Sequence, residues 1–481
     1  MKQFIAAVFI CIAASASSQE LSFEQALHIM SEQSPMLKAL HYERRAAQRE
    51  RQAAIGLFMP QVEIMAAYTH LDKDVRIDLN DTKQGLSQGL TNILTSFASD
   101  ATLGPIVAPL MPDIEKGLQS LFGADWGYTL QQRNFGFIGY QVNIPIFTGG
   151  KILAANRAAK IEEQLVDTRS AQQRNKLITK LVERYFGYAM TQRLVALHKD
   201  VVSAVRQHLA DVRNLEENGM AVKADRLYVE YRLTEAEREL LDAEERHATA
   251  KQALQMLLGG TAISATSTPI FTLNIIESRE FFAHLAAEQN PALEELEGKK
   301  QLARQNITLR RAALMPEIVA MGGGSIYSKN LSPLVSRWMV GVGARITIFS
   351  GLRNEYRLAA ARNTLRRVEQ LQHEAESDVS LLVASLYAEV EGHRRRVASL
   401  KRSESFAEEY LRSKRLAFAE GAATSTEIVD AELNLSKVRL ERLDAAYKYD
   451  VALARLLEAA GVSDRFLSYM NRHAAQILTD L

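Results

Sequence analysis

The chain repeats itself. Ser34-Pro35 and Met59-Pro60 return 256 positions later as Asn290-Pro291 and Met315-Pro316. Ile144-Pro145-Ile146-Phe147-Thr148-Gly149 returns 202 positions later as Ile346-Thr347-Ile348-Phe349-Ser350-Gly351. The 202 spacing then relates Gly219 to Gly421 and Gly259 to Gly461, without a gap over more than a hundred residues. An offset held for that long constrains the fold more than any composition figure, because each half must build the same elements in the same order. The halves read as residues 19–269 and 270–481. The fall from 256 to 202 leaves about 54 extra residues in the first half, between Pro60 and Ile144.

Each half alternates between strand and helix. Residues 61–69, 136–147, 317–327 and 338–349 read as strands with their apolar side chains at even positions. Val62, Ile64, Val142, Ile144, Val340 and Val342 carry that face, while Glu63, Gln141, Asn143, Glu317 and Arg345 fall on the other. Alternation over about ten residues fits a membrane β-strand with lipid on one side and water on the other, and it also fits a half-buried strand of a soluble sandwich. Four strands are too few to close a barrel, so a membrane reading requires several copies. Trp338, Tyr140, Tyr68 and Tyr327 read as strand-end residues of an interfacial aromatic girdle.

The helices are long. Lys151 to Glu217 holds no proline and one glycine, Gly187, and spans about 100 Å if helical throughout. Arg353 to Ala419 corresponds to it. The helical hairpins run over about 151–258 and 353–460. Leu194, Val201, Val205, Leu209, Val212 and Leu215 form an apolar stripe suited to coiled-coil packing. Residues 71–135, which include the extra segment, join the first two strands. Amphipathic stretches at Gly85 to Phe97 and Ile114 to Phe122 make this an elaborate outer loop, one that restricts a mouth or merely decorates it.

Met1-Lys2-Gln3, an apolar run from Phe4 to Ala14 and the small residues Ser15 to Ser18 read as a signal peptide over 1–18, cleaved after Ala16 or Ser18. Cys11, the one cysteine, goes with it, so disulfides, cysteine metal sites and thiol chemistry are excluded from the mature chain. With 58 basic and 57 acidic side chains the formal charge is +1, which argues against a nucleic-acid partner. There is no H-E-x-x-H, no phosphate-binding loop and no G-x-S-x-G elbow, and the Gly322-Gly323-Gly324 run lies in a strand. No enzyme activity, cofactor or metal site is expected.

The ordered set of proline-opened helices, Ile-x-Ile-Phe-(Thr/Ser)-Gly motifs and glycine turns, present twice, resembles the TolC-type outer-membrane efflux proteins over about Leu21 to Val462. The resemblance implies a mixed α/β membrane protein: a trimeric channel-tunnel with four β-strands per protomer in a shared twelve-stranded β-barrel, above a long coiled-coil α-helical periplasmic barrel. It implies a homotrimer in outer-membrane lipid that reaches into the periplasm. Its partners would be a periplasmic adaptor and an inner-membrane pump of RND, ABC or MFS type. Such a chain is the passive exit duct of a tripartite efflux or type I secretion system.

The same resemblance places the adaptor-contact tip at the turns of Gly219 and Gly421. It places a periplasmic gate at Asp225, Glu427 and Asp430, with Phe418 as a constricting ring, while Ala423 replaces a basic residue found there in some members. Threefold symmetry would turn each acid into a ring that favours cations and raises some pKa values. Arg345 is expected on the barrel lumen, either as a threefold basic ring or paired locally with Glu317 or Glu63. Two alternatives stand beside this reading: a soluble periplasmic coiled-coil scaffold or adaptor, and the outer component of a metal-efflux system.

Overall fold

A computed structural model describes residues 20–101, 103–472 and 475–477, the last three as backbone. The signal peptide and Cys11 lie outside the described residues. The chain begins with α1 (Phe23–Gln33), α2 (Pro35–Gly56), β1 (Gln61–His70), β2 (Val75–Asp78), α3 (Asn80–Ala98), α4 (Gly104–Val107), α5 (Met111–Gly123), β3 (Gly127–Gln131) and β4 (Asn134–Phe147). It continues with α6 (Lys151–Glu217), α7 (Lys223–Leu257), β5 (Phe271–Leu273), α8 (Arg279–Gln289), α9 (Pro291–Ala312), β6 (Glu317–Lys329) and β7 (Trp338–Arg345). Last come α10 (Arg353–Ala419), α11 (Ser425–Ala459), α12 (Phe466–Met470) and β8 (Ala475–Ile477).

Helix lengths match in pairs. α1 and α8 have 11 residues each, α2 and α9 have 22, α6 and α10 have 67, and α7 and α11 have 35. Among the described residues no helix is long and apolar enough to cross a membrane.

The chain divides into two compact units. One takes the residues up to Gln52, Asn156–Ile307 and those from Ala359 onward, and its core is aromatic. Phe23, Tyr185, Phe186, Phe271 and Phe466 are at most 1% exposed, with neighbouring ring centroids 5.2–6.3 Å apart. These rings tie α1, α6, β5 and α12 together, each pair adding about 0.5–1.5 kcal/mol beyond burial. Ser22 opens α1 with a capping box, its side chain accepting from the Gln25 amide while Gln25 accepts from the Ser22 amide.

Polar groups in this core are mostly answered. The Tyr185 hydroxyl donates to the Leu21 carbonyl at 2.6 Å and accepts from the Thr268 amide at 3.1 Å. Asp450 is one exception, the Ser463 hydroxyl another. The Asp450 side chain is fully buried and, among the described residues, accepts only from the Phe271 amide at 3.4 Å, its second oxygen having no partner. Burial with no cation alongside pushes its carboxyl well above the usual 3.8.

The other unit comprises Ala53–Ala155 and Thr308–Leu358 and carries the antiparallel sheet β1-β4-β6-β7. Val62 lies opposite Val142, Val142 opposite Gly322, and Gly322 opposite Val340, so the even positions share one face across all four strands. Val62, Ile64, Val340 and Val342 on that face are 66–76% exposed. Glu63, Gln141, Asn143, Glu317 and Arg345 take the other face, where the Gln141 amide donates to Asn143 at 3.1 Å. A register shift between Ile138 and Gly139 displaces Ile326, so beyond it β6 presents odd positions, Tyr327 first, to the apolar face.

Two expectations need correcting. The fourth strand stops at Arg345, because its partner β6 begins at Glu317 after Pro316, which has no N–H to continue the ladder. Tyr140 sits in mid-strand rather than near an end, opposite Ile64 and Gly324.

An acid whose pKa is raised by folding holds a proton that the unfolded chain has released, so stability falls as pH rises above about 3.8. Asp450→Asn is therefore expected to raise the thermal midpoint by a few degrees at pH 7.5, with the gain shrinking towards pH 4.5. Circular dichroism melts across that range read it, and a pH-independent difference would exclude the carboxyl as the source.

Candidate functional site

Two helical hairpins build the tip of the first unit. The stripe on α6 packs as its spacing demands. Val201, Val205, Leu209 and Val212 are buried together with Val229 and Ala236 of α7 and Val429 of α11. Each long helix then ends on a glycine in the left-handed region, Gly219 at φ +71° and Gly421 at φ +74°. The amide after each glycine donates back to the helix, Met220 to Leu215 and Ala422 to Ala417, while the glycine amides donate to Glu216 and Phe418. This pairing ends a helix and reverses the chain, and a residue with a Cβ would be strained there. Met220 and Val222 in the first turn, and Leu416 at the end of α10, stay exposed.

Past the turns the two halves differ. Thr424 opens α11 with a capping box: its hydroxyl accepts from the Glu427 amide at 3.3 Å, and the Glu427 carboxylate accepts from the Thr424 amide at 2.8 Å. The same carboxylate receives the Lys414 ammonium at 2.6 Å. The Lys414 contact, then the Thr424 amide, hold the Glu427 carboxyl below its ordinary range. The equivalent start of α7 has Val222 before it, with no capping side chain; the Asp225 amide in its first turn donates to the Val222 carbonyl at 3.0 Å, while its carboxylate has no hydrogen-bond or ion-pair partner among the described residues.

Asp430 turns elsewhere. It accepts from the Tyr228 hydroxyl at 2.9 Å and lies 3.5 Å from the Arg232 guanidinium, both on α7. Arg232 also donates to the Tyr228 hydroxyl at 3.0 Å, sits 5.2 Å over its ring and pairs with Glu235 at 3.0 Å. Glu427 and Asp430, spaced to share a helical face, thus bind opposite neighbours, α10 and α7. Tyr228 and Asp430 are 202 positions apart, so the contact joins equivalent positions of the two halves.

Phe418 is half-buried, its ring 5.4 Å from that of His208 in an edge arrangement. His208 on α6 is buried and bonded to the hydroxyl of Ser425, the first residue of α11, at 2.7 Å. Burial pushes its pKa below the ordinary 6.5 despite nearby Asp211, while Arg415 adds to the lowering. A cavity of about 350 Å³ lies among His208, Asp211, Arg415, Phe418 and Glu432.

Sequence reading missed Tyr228, Arg232, Lys414 and His208. Thr424-x-x-Glu427 is a readable capping box, and the 202 offset would have pointed from Asp430 to Tyr228. In the sheet unit, Arg345 pairs with Glu317 directly across the strands at 2.9 Å, which is the local outcome. No group of three or more potential metal ligands occurs among the described residues.

The sequence profile of the family described as "Outer membrane efflux protein" matches residues 124–260 and 282–462, one stretch in each half. The chain belongs to that family. The alkaline protease secretion protein AprF of Pseudomonas aeruginosa is 23% identical over 62% of this chain and 64% of its own length. The cation efflux system protein CusC of Escherichia coli is 29% identical over 44% of this chain and 48% of its own. The aligned part of the chain thus spans about half to two thirds of these relatives. A solved structure of CusC, 16% identical, superposes with a TM-score of 0.71 over 92% of each chain. Family membership places the protein in the outer membrane.

An imidazole that burial keeps neutral loses stability as pH falls below about 6.5. Protection of the 425–429 amides, taken relative to the intrinsic exchange rate at each pH, is expected to fall between pH 7 and pH 5.5, and to fall less in His208→Gln, which keeps a donor without titrating. An equal loss of protection in both proteins would remove His208 as the cause.

Proposed function

We propose that the protein is the passive outer-membrane exit duct of a tripartite efflux or type I secretion system. Three copies pool four strands each into a twelve-stranded barrel, and their paired helices continue beneath it through the periplasm. The observation that carries this reading is the sheet β1-β4-β6-β7, with an apolar face open to its surroundings and both edge strands unpaired. In lipid an unpaired edge is untenable, since each unmet amide or carbonyl costs several kcal/mol. Pairing β7 of one copy with β1 of the next removes every edge at once. A detergent-free soluble scaffold would leave the same face in water, which disfavours that alternative.

Two further observations support the reading. The pairwise equality of helix lengths and the contact of Tyr228 with its repeat equivalent Asp430 support two structural repeats, at 19–269 and 270–481. Gly219 and Gly421, with exposed Met220, Val222 and Leu416 beside them, suit a tip that docks a periplasmic adaptor. Energy and cargo choice then rest with an inner-membrane pump of RND, ABC or MFS type. The curated relatives are named for protease secretion and for cation efflux, so the duct is what they share and neither cargo is assigned here.

At the tip, Asp430 with Tyr228 and Arg232 forms a latch between the hairpins, and Asp225, Glu427 and Phe418 line the same gate. The latch hydrogen bond, half exposed, is worth about 1 kcal/mol, or roughly a fivefold shift in an open-to-closed ratio. Native mass measurement of the detergent-solubilised protein is expected to give three copies; a single copy would end the proposal. Tyr228→Phe and Asp430→Asn are expected to raise the open fraction about fivefold in bilayer recordings. Asp430→Asn with Glu427→Gln should also weaken cation selectivity. Unchanged gating and selectivity in all of these would remove the tip residues from the gate.

A further inference from the structure

The insertion between β1 and β4 carries an apolar stripe on the outside. On α3, Leu86, Leu90, Ile93 and Phe97 follow i, i+4, i+7, i+11 and are 39–51% exposed. The helix does not use this stripe to hold its own unit together. It packs on α4 and α5, and its half-covered positions Lys83, Ser87, Leu94 and Ala98 lie about a quarter turn away. On the other side of the stripe run Gly85 and Gly89, where an added Cβ would meet nothing within 4 Å. No Asp, Glu, Lys or Arg lies between Gln84 and Ser99. The family match begins only at residue 124, so this helix lies outside the matched segments.

We infer that the α3 helices of neighbouring copies pack against each other through Leu86, Leu90, Ile93 and Phe97, forming an apolar collar at the outer mouth of the barrel. The inference rests on the trimer proposed above. A twelve-stranded ring, with strands about 4.8 Å apart and tilted about 40°, is about 24 Å across. Three copies of a 19-residue helix, each about 28 Å long, are attached to that rim through β2 and β3. Helices so long on a rim so narrow stand within reach of one another. The uncharged stripe favours a second copy over a lipid surface, because interfacial helices carry Lys and Arg on their polar side. Gly85 and Gly89, spaced four apart, permit the close approach of two helix backbones.

The test uses the full-length protein purified in detergent, with Cys11→Ser removing the one native cysteine. Leu90→Cys and Gln88→Cys are compared, the latter being on the opposite side of α3. After mild oxidation, Leu90→Cys is expected to give a heat-stable cross-linked dimer and Gln88→Cys none. A particle of trimer mass in which Leu90→Cys stays uncrosslinked overturns the collar and leaves the trimer standing, whether a bulky maleimide labels that cysteine fully or another molecule shields it. Equal cross-linking at both positions also overturns it, since the contact would then not follow the stripe. A particle of single-chain mass overturns collar and trimer together, and the mass alone separates that case from the others.

Discussion

The constraint on which the architecture depends is the open edge of a four-stranded sheet. Among the described residues, β1 and β7 each present a row of amides and carbonyls with no partner. The apolar face of the sheet asks for lipid, where water cannot serve those groups. Neither demand can be met by one copy. A shared barrel meets both, and it also gives a use to the polar face, on which Glu63, Gln141, Asn143 and the Arg345–Glu317 pair would line water. The cross-strand pairing of Arg345 matters here, because a neutralised pair narrows a lumen without adding the strong field of three free guanidiniums.

Much of the fold was written in the sequence because its largest features depend on local chemistry. A helix of 67 residues needs only the absence of proline and a sparing use of glycine, and both long helices run over the residues that the composition suggests. The turns at Gly219 and Gly421 require a left-handed residue, so glycine marks them. What was misread depends on a partner distant in sequence. Alternation in Ile346 to Phe349 continues past Arg345, but a strand needs a neighbour, and β6 offers none before Glu317. Periodicity records which face a side chain would take and is silent about whether a ladder exists to hold it.

The tip shows the same division. The resemblance set Glu427 and Asp430 together at the tip, and their i, i+3 spacing lays both on one helical face. The structure separates them: one carboxylate closes a capping box and takes Lys414, the other crosses to Tyr228 and Arg232. Tyr228 and Arg232 carry no motif of their own. Only the contact between hairpins gives them a role, and in sequence that contact spans about two hundred residues.

Strength is distributed in a way that suits a duct with a gate at one end. In the aromatic core, rings that are at most 1% exposed and several buried hydrogen bonds tie α1, α6, β5 and α12 into one body. At the tip, α7 and α11 share the buried Val229, Ala236 and Val429 and add a polar contact that keeps solvent access, Asp430 being about half exposed and Arg232 about a third. Exposed ion pairs of this kind contribute at most about 1 kcal/mol each. In the gate proposed above, a partner that bound splayed hairpins better would have to offset this apolar contact as well as the polar one. His208 marks the boundary between these regimes: it is buried like a core residue, yet its hydrogen bond reaches the first turn of α11. Through Ser425 and the Phe418 ring, His208 ties α6 to both helices of the second hairpin, so movement of the latch proposed above would have to carry these contacts with it or break them.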